Sequence, residues 1–182
     1  MKKFGHLNPA PFRIVGWYAL TVAAVGLCAA IAGIRINTSY SLPLGLYITT
    51  RDDRARLIEF CPEGLFAAQS AGRGYRTAGF TCSDGAVPLL KPVAATEGDH
   101  VEVSPEGIAV NGVLLPKTRA LNTDWAGRSL NPFPFGTYRV RAGTVWVAST
   151  YNRGSFDSRY MGPIRTSQIR KRLRPLWLIS GQ

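Results

Sequence analysis

Histidine is scarce in this chain. Two His, three Cys and two Met among 182 residues leave little material for a metal centre, and neither metal nor cofactor is expected. Acidic residues are scarce too: 11 Asp plus Glu stand against 22 Lys plus Arg, for a formal charge of +11. That imbalance points to a polyanionic partner, either nucleic acid or an anionic membrane surface. Internal repeats and low-complexity linkers are missing, which excludes a solenoid or a tethered array. Helical periodicity is rare beyond the first 34 residues. The 19 Gly and 12 Pro instead favour many turns and short strands over a helical bundle. An apolar content of 46% excludes a disordered chain.

The longest feature present is apolar. Ile14 to Ile34 run without one Asp, Glu, Lys, Arg or His. At about 1.5 Å per helical residue such a run spans roughly 30 Å, the hydrocarbon thickness of a bilayer. Lys2, Lys3 and Arg13 precede it with no acid, which predicts a cytoplasmic N-terminus over residues 1–13. Trp17 and Tyr18 suit the membrane interface. A cleaved signal peptide is the rival reading: its apolar region is normally shorter, yet Ala30-Ile31-Ala32 resembles a cleavage site. Bulky Leu27 before Cys28 argues against a lipoprotein site. Apolarity all round the helix argues against a core helix of a soluble protein. The expectation is an anchor over 14–34 and an outer domain over 35–182, periplasmic and held at the inner membrane if the cell is bacterial.

In the outer domain strand signals dominate. His100 to Val103 alternate, Ser104 to Gly107 read as a turn, and Ile108 to Val110 resume before Asn111-Gly112. Asn-Gly between apolar runs is a strong hairpin signal, because both residues accept φ > 0. Tyr138 to Val140 and Val145 to Val147 flank a turn at 141–144 and read as a further hairpin. Pro62 to Ala71 is the best short helix. Residues 61–84 are Gly-rich and poorly patterned, and read as an insertion. The fold class is therefore mainly β, an antiparallel domain with a small excursion. Cys61 and Cys82 both lie in the outer part, where an oxidising compartment favours a disulfide closing the insertion; free thiols are the alternative.

Two motifs carry chemistry. Asn37-Thr38-Ser39-Tyr40-Ser41-Leu42-Pro43-Leu44-Gly45-Leu46-Tyr47 is a turn rich in hydroxyls, and seven residues past the apolar run Ser41 stays within about 25 Å of the bilayer. A nucleophilic serine needs a base. His100 is the one histidine in the outer part. The other candidate is Lys91, a single cation in Val87-Pro88-Leu89-Leu90-Lys91-Pro92-Val93-Ala94-Ala95, provided that burial strips its proton. An edge-strand lysine reaching back to water is the alternative reading of that run.

The second motif is Ser155-Phe156-Asp157-Ser158-Arg159-Tyr160-Met161-Gly162. It resembles the last conserved box of the type I signal peptidases. Ser41-Leu42-Pro43 then resembles their nucleophile box, and Lys91 with Gly98-Asp99-His100-Val101 their base box. The pattern Ser-x-Pro-x-Gly-x-Tyr, from Ser41 to Tyr47, is similar to that of the TraF-type conjugative transfer branch. General signal peptidases carry Ser-Met-x-Pro and a Gly-Asp-Asn segment, where this chain has Ser149-Thr150-Tyr151-Asn152.

The resemblance implies a signal-peptidase-like β domain and a Ser/Lys dyad, with Ser41 as nucleophile and Lys91 as general base. It also implies an oxyanion donor at Ser39, a lysine-orienting hydroxyl at Ser155, and an important Asp157 paired with Arg159. From the branch alone follow a pilin precursor as substrate and its joining head to tail. General secretory processing is one alternative. A basic module binding membrane lipids is another, resting on Arg165, Arg170, Lys171, Arg172 and Arg174. No nucleic acid partner is expected.

Overall fold

The computed structural model describes residues 10–179; Lys2 and Lys3, on which the N-terminal expectation partly rests, lie outside the described residues. α1 (Ala10–Ile31) carries the apolar run. Its stretch Ile14–Ile31 has a mean hydropathy of 2.1 and no buried residue, so the helix is long and apolar enough to span a membrane or serve as a signal sequence. It stops three residues short of the end of the apolar run. Gly33 turns the chain at φ +74°, and Ile34 leaves the helix to pair with Ile48 as the first residue of a strand.

The remainder is mainly β, with every strand pairing antiparallel. The strands are β1 (Ile34–Asn37), β2 (Gly45–Thr50), β3 (Leu57–Phe60), β4 (Leu89–Ala95), β5 (His100–Ser104), β6 (Gly107–Val110), β7 (Val113–Leu114), β8 (Gly136–Arg139), β9 (Thr144–Val147), β10 (Ile164–Arg165) and β11 (Ile169–Leu178). Seven of them form one sheet in the order β1-β2-β11-β3-β4-β9-β10, and β7-β6-β5-β8 form a second. Two short helices complete the chain, α2 (Gly64–Gly72) and α3 (Ser158–Met161).

The β5–β6 hairpin turns through Pro105 and Glu106, and the β6–β7 hairpin through Asn111-Gly112, both at positive φ. The hairpin expected around residues 141–144 is not formed. The turn exists, closed by Thr144 N–H donating to Arg141 O, but β8 pairs with β5 while β9 pairs with β4 and β10. The turn thus carries the chain from one sheet to the other. Alternate residues of β9 serve two cores: Trp146 packs among Phe133, Tyr138 and Ala95 in the second, while Val145 and Val147 face the core of the large sheet, so β9 lies between the two rather than beside β8.

The insertion folds as α2 and a Gly-rich loop. A disulfide joins Cys61 to Cys82. Buried Arg76 holds the loop from inside, donating to Ser70 Oγ (2.8 Å) and Ala67 O (2.9 Å) and pairing with Asp84. Closing a loop of this size stabilises by about 3 kcal/mol in the chain-entropy model.

Candidate active site

Strand β4 places the lysine. Its residues alternate in burial, with Leu89, Lys91, Val93 and Ala95 all turned inward. Period-2 geometry thus puts Lys91 in a core position. β4 lies between β3 and β9, so Lys91 is no edge residue reaching water; it is 3% exposed. Its Nζ lies 2.5 Å from Ser41 Oγ and 2.9 Å from Ser155 Oγ, and the two hydroxyls are 3.4 Å apart. Desolvation lowers the Lys91 pKa from 10.5 to about 8, against the carboxylate of Asp157, which raises it; Arg159 lowers it further. The folded protein consequently holds fewer protons than the unfolded chain between about pH 8 and 10.5. The burial penalty is present in full below that window and is relieved as pH rises through it.

Ser41 sits on a turn held by two residues. Asn37, buried at the end of β1, donates through Nδ2 to Ser39 O (3.1 Å), Leu42 O (3.3 Å) and Pro43 O (3.0 Å). Its Oδ1 accepts from Ser39 N (3.1 Å) and Ser39 Oγ (2.8 Å). Tyr47 Oη donates to Pro43 O at 2.7 Å. These bonds explain the Ser-x-Pro-x-Gly-x-Tyr spacing. Gly45 between them has φ +150°, and a Cβ there would stand 2.3 Å from Trp177 O.

The Ser155–Gly162 box is spatially economical. Asp157 and Arg159 are both fully enclosed, joined by Nε–Oδ1 (2.8 Å) and Nη2–Oδ2 (2.9 Å) contacts. The other Arg159 donors reach Lys117 O, Arg153 O and Ser149 O. The Asp157 carboxylate also accepts from Arg159 N and Ser149 N. Its hydrogen bonds go to those partners, and none goes to Ser41 or Lys91. Ser158 Oγ accepts from Val147 N, and Phe156 stacks on Tyr160 at 5.6 Å. Gly162, at φ +68°, lies against Phe133, whose ring a Cβ would meet at 2.2 Å.

Two residues escaped the sequence reading. Ser149 Oγ donates to Ser41 O (2.6 Å) and thereby ties the ion pair to the nucleophile turn. Asn37 organises that turn, and its one sequence signal was an Asx residue two positions before a serine. His100, the histidine among the described residues, is exposed on β5 in the second sheet and pairs with Arg139 there; it does not line the groove of Ser41.

That groove has a volume of about 910 Å³ and contains Ser39, Ser41 and Lys91, with Tyr75 of the insertion and Val87 and Pro88 just beyond it among its lining. An apposed serine and desolvated lysine at the side of an open groove can deprotonate a hydroxyl for attack on a bound carbonyl.

Residues 15–177 match the family described as signal peptidase, peptidase S26. The chain belongs to that family. Among relatives of the S26 peptidase, the plasmid transfer protein TraF of Escherichia coli is 39% identical over 166 residues, covering 90% of this chain and 91% of the relative. A probable conjugal transfer protein TraF of Sinorhizobium fredii (strain NBRC 101917 / NGR234) is 38% identical over 165 residues, covering 86% and 84%. A solved signal peptidase I from Enterococcus faecalis V583 superimposes at a TM-score of 0.37 with 16% identity, over 69% of this chain and 99% of that one.

Proposed function

We propose that this S26 peptidase is a membrane-anchored serine endopeptidase that works through a Ser41/Lys91 dyad. Residues 1–13 lie in the cytoplasm, 14–34 anchor the chain in the inner membrane, and 35–182 act in the periplasm, with 61–84 as an insertion. The observation that carries the reading is the 2.5 Å approach of a buried lysine to Ser41 Oγ. Neutral Lys91 takes the serine proton as Ser41 attacks the scissile carbonyl, and Ser155 fixes the direction of the amine. The Ser41 N–H and the Ser39 hydroxyl, the latter released from Asn37, stabilise the developing oxyanion. Asp157 and Arg159 hold the segment that carries Ser155. A lipid-binding module has no use for a desolvated lysine against a serine, and a general secretory role fits the Ser-x-Pro box less well.

The names of the relatives, plasmid transfer and conjugal transfer protein, support a place in conjugation; a pilin precursor as substrate rests on the motif resemblance to that branch. An amine of the substrate can then resolve the acyl-enzyme and close the product into a ring. Water does the same work by the same dyad and yields a linear product.

An activated peptidyl ester tests the nucleophile, because acylation by an ester outruns deacylation. Acid-quenched protein should carry the peptidyl mass on the fragment containing Ser41, and Ser41→Ala should carry none. An adduct on Ser39 would move the nucleophile. The pH profile of kcat/KM should rise through about pH 8 as Lys91 loses its proton; a profile falling across that range would exclude lysine as the base.

A further inference from the structure

The groove contains an ionic cluster that the Ser41–Lys91 chemistry leaves unused. Glu59 of β3 is nine-tenths buried, and its carboxylate lies 3.3 Å from Arg35 Nε of β1. Lys171 of β11 is its register partner on the neighbouring strand. Arg35, Glu59, Arg170 and Lys171 all line the cavity that holds Ser41 and Lys91. Three cations therefore face one carboxylate, and that carboxylate is committed to Arg35. Of the groove's two other cations, Arg76 is neutralised by Asp84 and Lys91 belongs to the Ser41 pair. Arg35 keeps 35% of its side-chain surface exposed, and Arg170 and Lys171 are exposed.

We propose that this cluster is a carboxylate-binding subsite that selects peptides carrying a negative group a few residues from the scissile bond. The proposal rests on the peptidase reading of Ser41 and Lys91. Glu59 pairs with Leu90, the neighbour of Lys91, and Lys171 stands one strand further on. Arg35 joins the cluster through its side-chain contact with Glu59. The groove lined by both sets of residues connects the cluster to Lys91, although Glu59 and Lys91 leave the sheet on opposite faces. With strands about 4.8 Å apart, the Lys171 backbone lies roughly 10 Å from that of Lys91. An extended peptide covers that distance in about three residues. The carboxylate is either an Asp or Glu side chain or the free C-terminus of a short leaving segment. Glu59 holds the Arg35 guanidinium in place and lowers the charge of the empty cluster, while an open guanidinium edge can take a carboxylate in paired hydrogen bonds.

Peptides with Glu, Gln or Lys at each of the four positions on either side of the scissile bond test this, each made as free acid and as C-terminal amide. Turnover is read with the full chain in micelles, and binding by fluorescence anisotropy with Ser41→Ala. At one position Glu should exceed Gln about tenfold, or free acid should exceed amide if the terminus is the ligand, and the preference should shrink as salt rises. In Lys171→Glu, an exposed position, the preference should invert toward Lys; in Arg35→Gln it should fall toward unity. A wild-type preference for Lys would assign the site to Glu59 and overturn the proposal. Equal binding and turnover for Glu, Gln and both termini would overturn it too, while cleavage that depends on Ser41 would leave the peptidase reading standing. Acid-selective binding without any cleavage would sustain the subsite and sink the dyad.

Discussion

Lys91→Arg should lose about 10³-fold or more in kcat, as much as Lys91→Ala, because charge is not what the site needs from this residue. A general base contributes typically 10²- to 10⁴-fold. Burial brings the Lys91 ammonium down to about 8, within reach of neutral pH, whereas a guanidinium stays protonated above about pH 12. Arginine would also force a larger cation into a core position flanked by Leu89 and Val93. Lys91→Met separates the two effects. It should be equally inactive yet more stable at pH 7, by about 3 kcal/mol, since it removes the cost of a desolvated cation. That gain should fade as pH rises from about 8 toward 10.5 and vanish above it, where the folded and unfolded lysine are both neutral. Denaturation of wild type and Lys91→Met at pH 7 and 10 measures the difference. Substantial turnover by Lys91→Arg would refute the dyad.

Asp157→Asn should destabilise the β domain by about 3–5 kcal/mol, because it strands a fully enclosed guanidinium without its counter-charge. For a domain of this size that corresponds to a fall in Tm of roughly 10 °C. Adding Arg159→Met should recover much of the loss, since the uncompensated charge is then gone. Activity adds a readout that a merely structural role would not move. Asp157 raises the lysine pKa and Arg159 lowers it. Removing only the carboxylate should therefore displace the acid limb of the pH profile to lower pH, whereas Asp157→Asn/Arg159→Met should return it toward wild type. An unshifted limb in folded Asp157→Asn would mean that the ion pair does not reach the lysine electrostatically.

Several features follow from local rules, and for these the sequence suffices. The charge-free run makes a long apolar helix because nothing in it can face water. The β6–β7 turn follows from Asn111-Gly112, where two positive φ values are needed in succession. The mainly β character follows from alternation and from abundant Gly and Pro. The Cys61–Cys82 bond was one of two readings, and the pairing of β3 and β4 around the insertion brings its ends together. The resemblance to the signal peptidase boxes singles out Ser41, Lys91, Ser155, Asp157 and Arg159, but order along the chain carries no distances.

Only the tertiary structure decided the rest. Whether Lys91 faces core or solvent depends on which strands flank β4, and β3 and β9 come from distant parts of the chain. The expected 138–147 hairpin failed because a turn signal does not say whether its two strands stay together, and alternate residues of β9 serve two cores, which places it between them rather than beside β8. Asn37, Ser149 and Glu59 look unremarkable in sequence; each acquires its role through partners that only the fold brings near. Helices and tight turns are set by residues a few positions apart, whereas Ser41 and its partners Lys91 and Ser155, 50 and 114 positions away, meet only when long-range strand pairing closes the sheet.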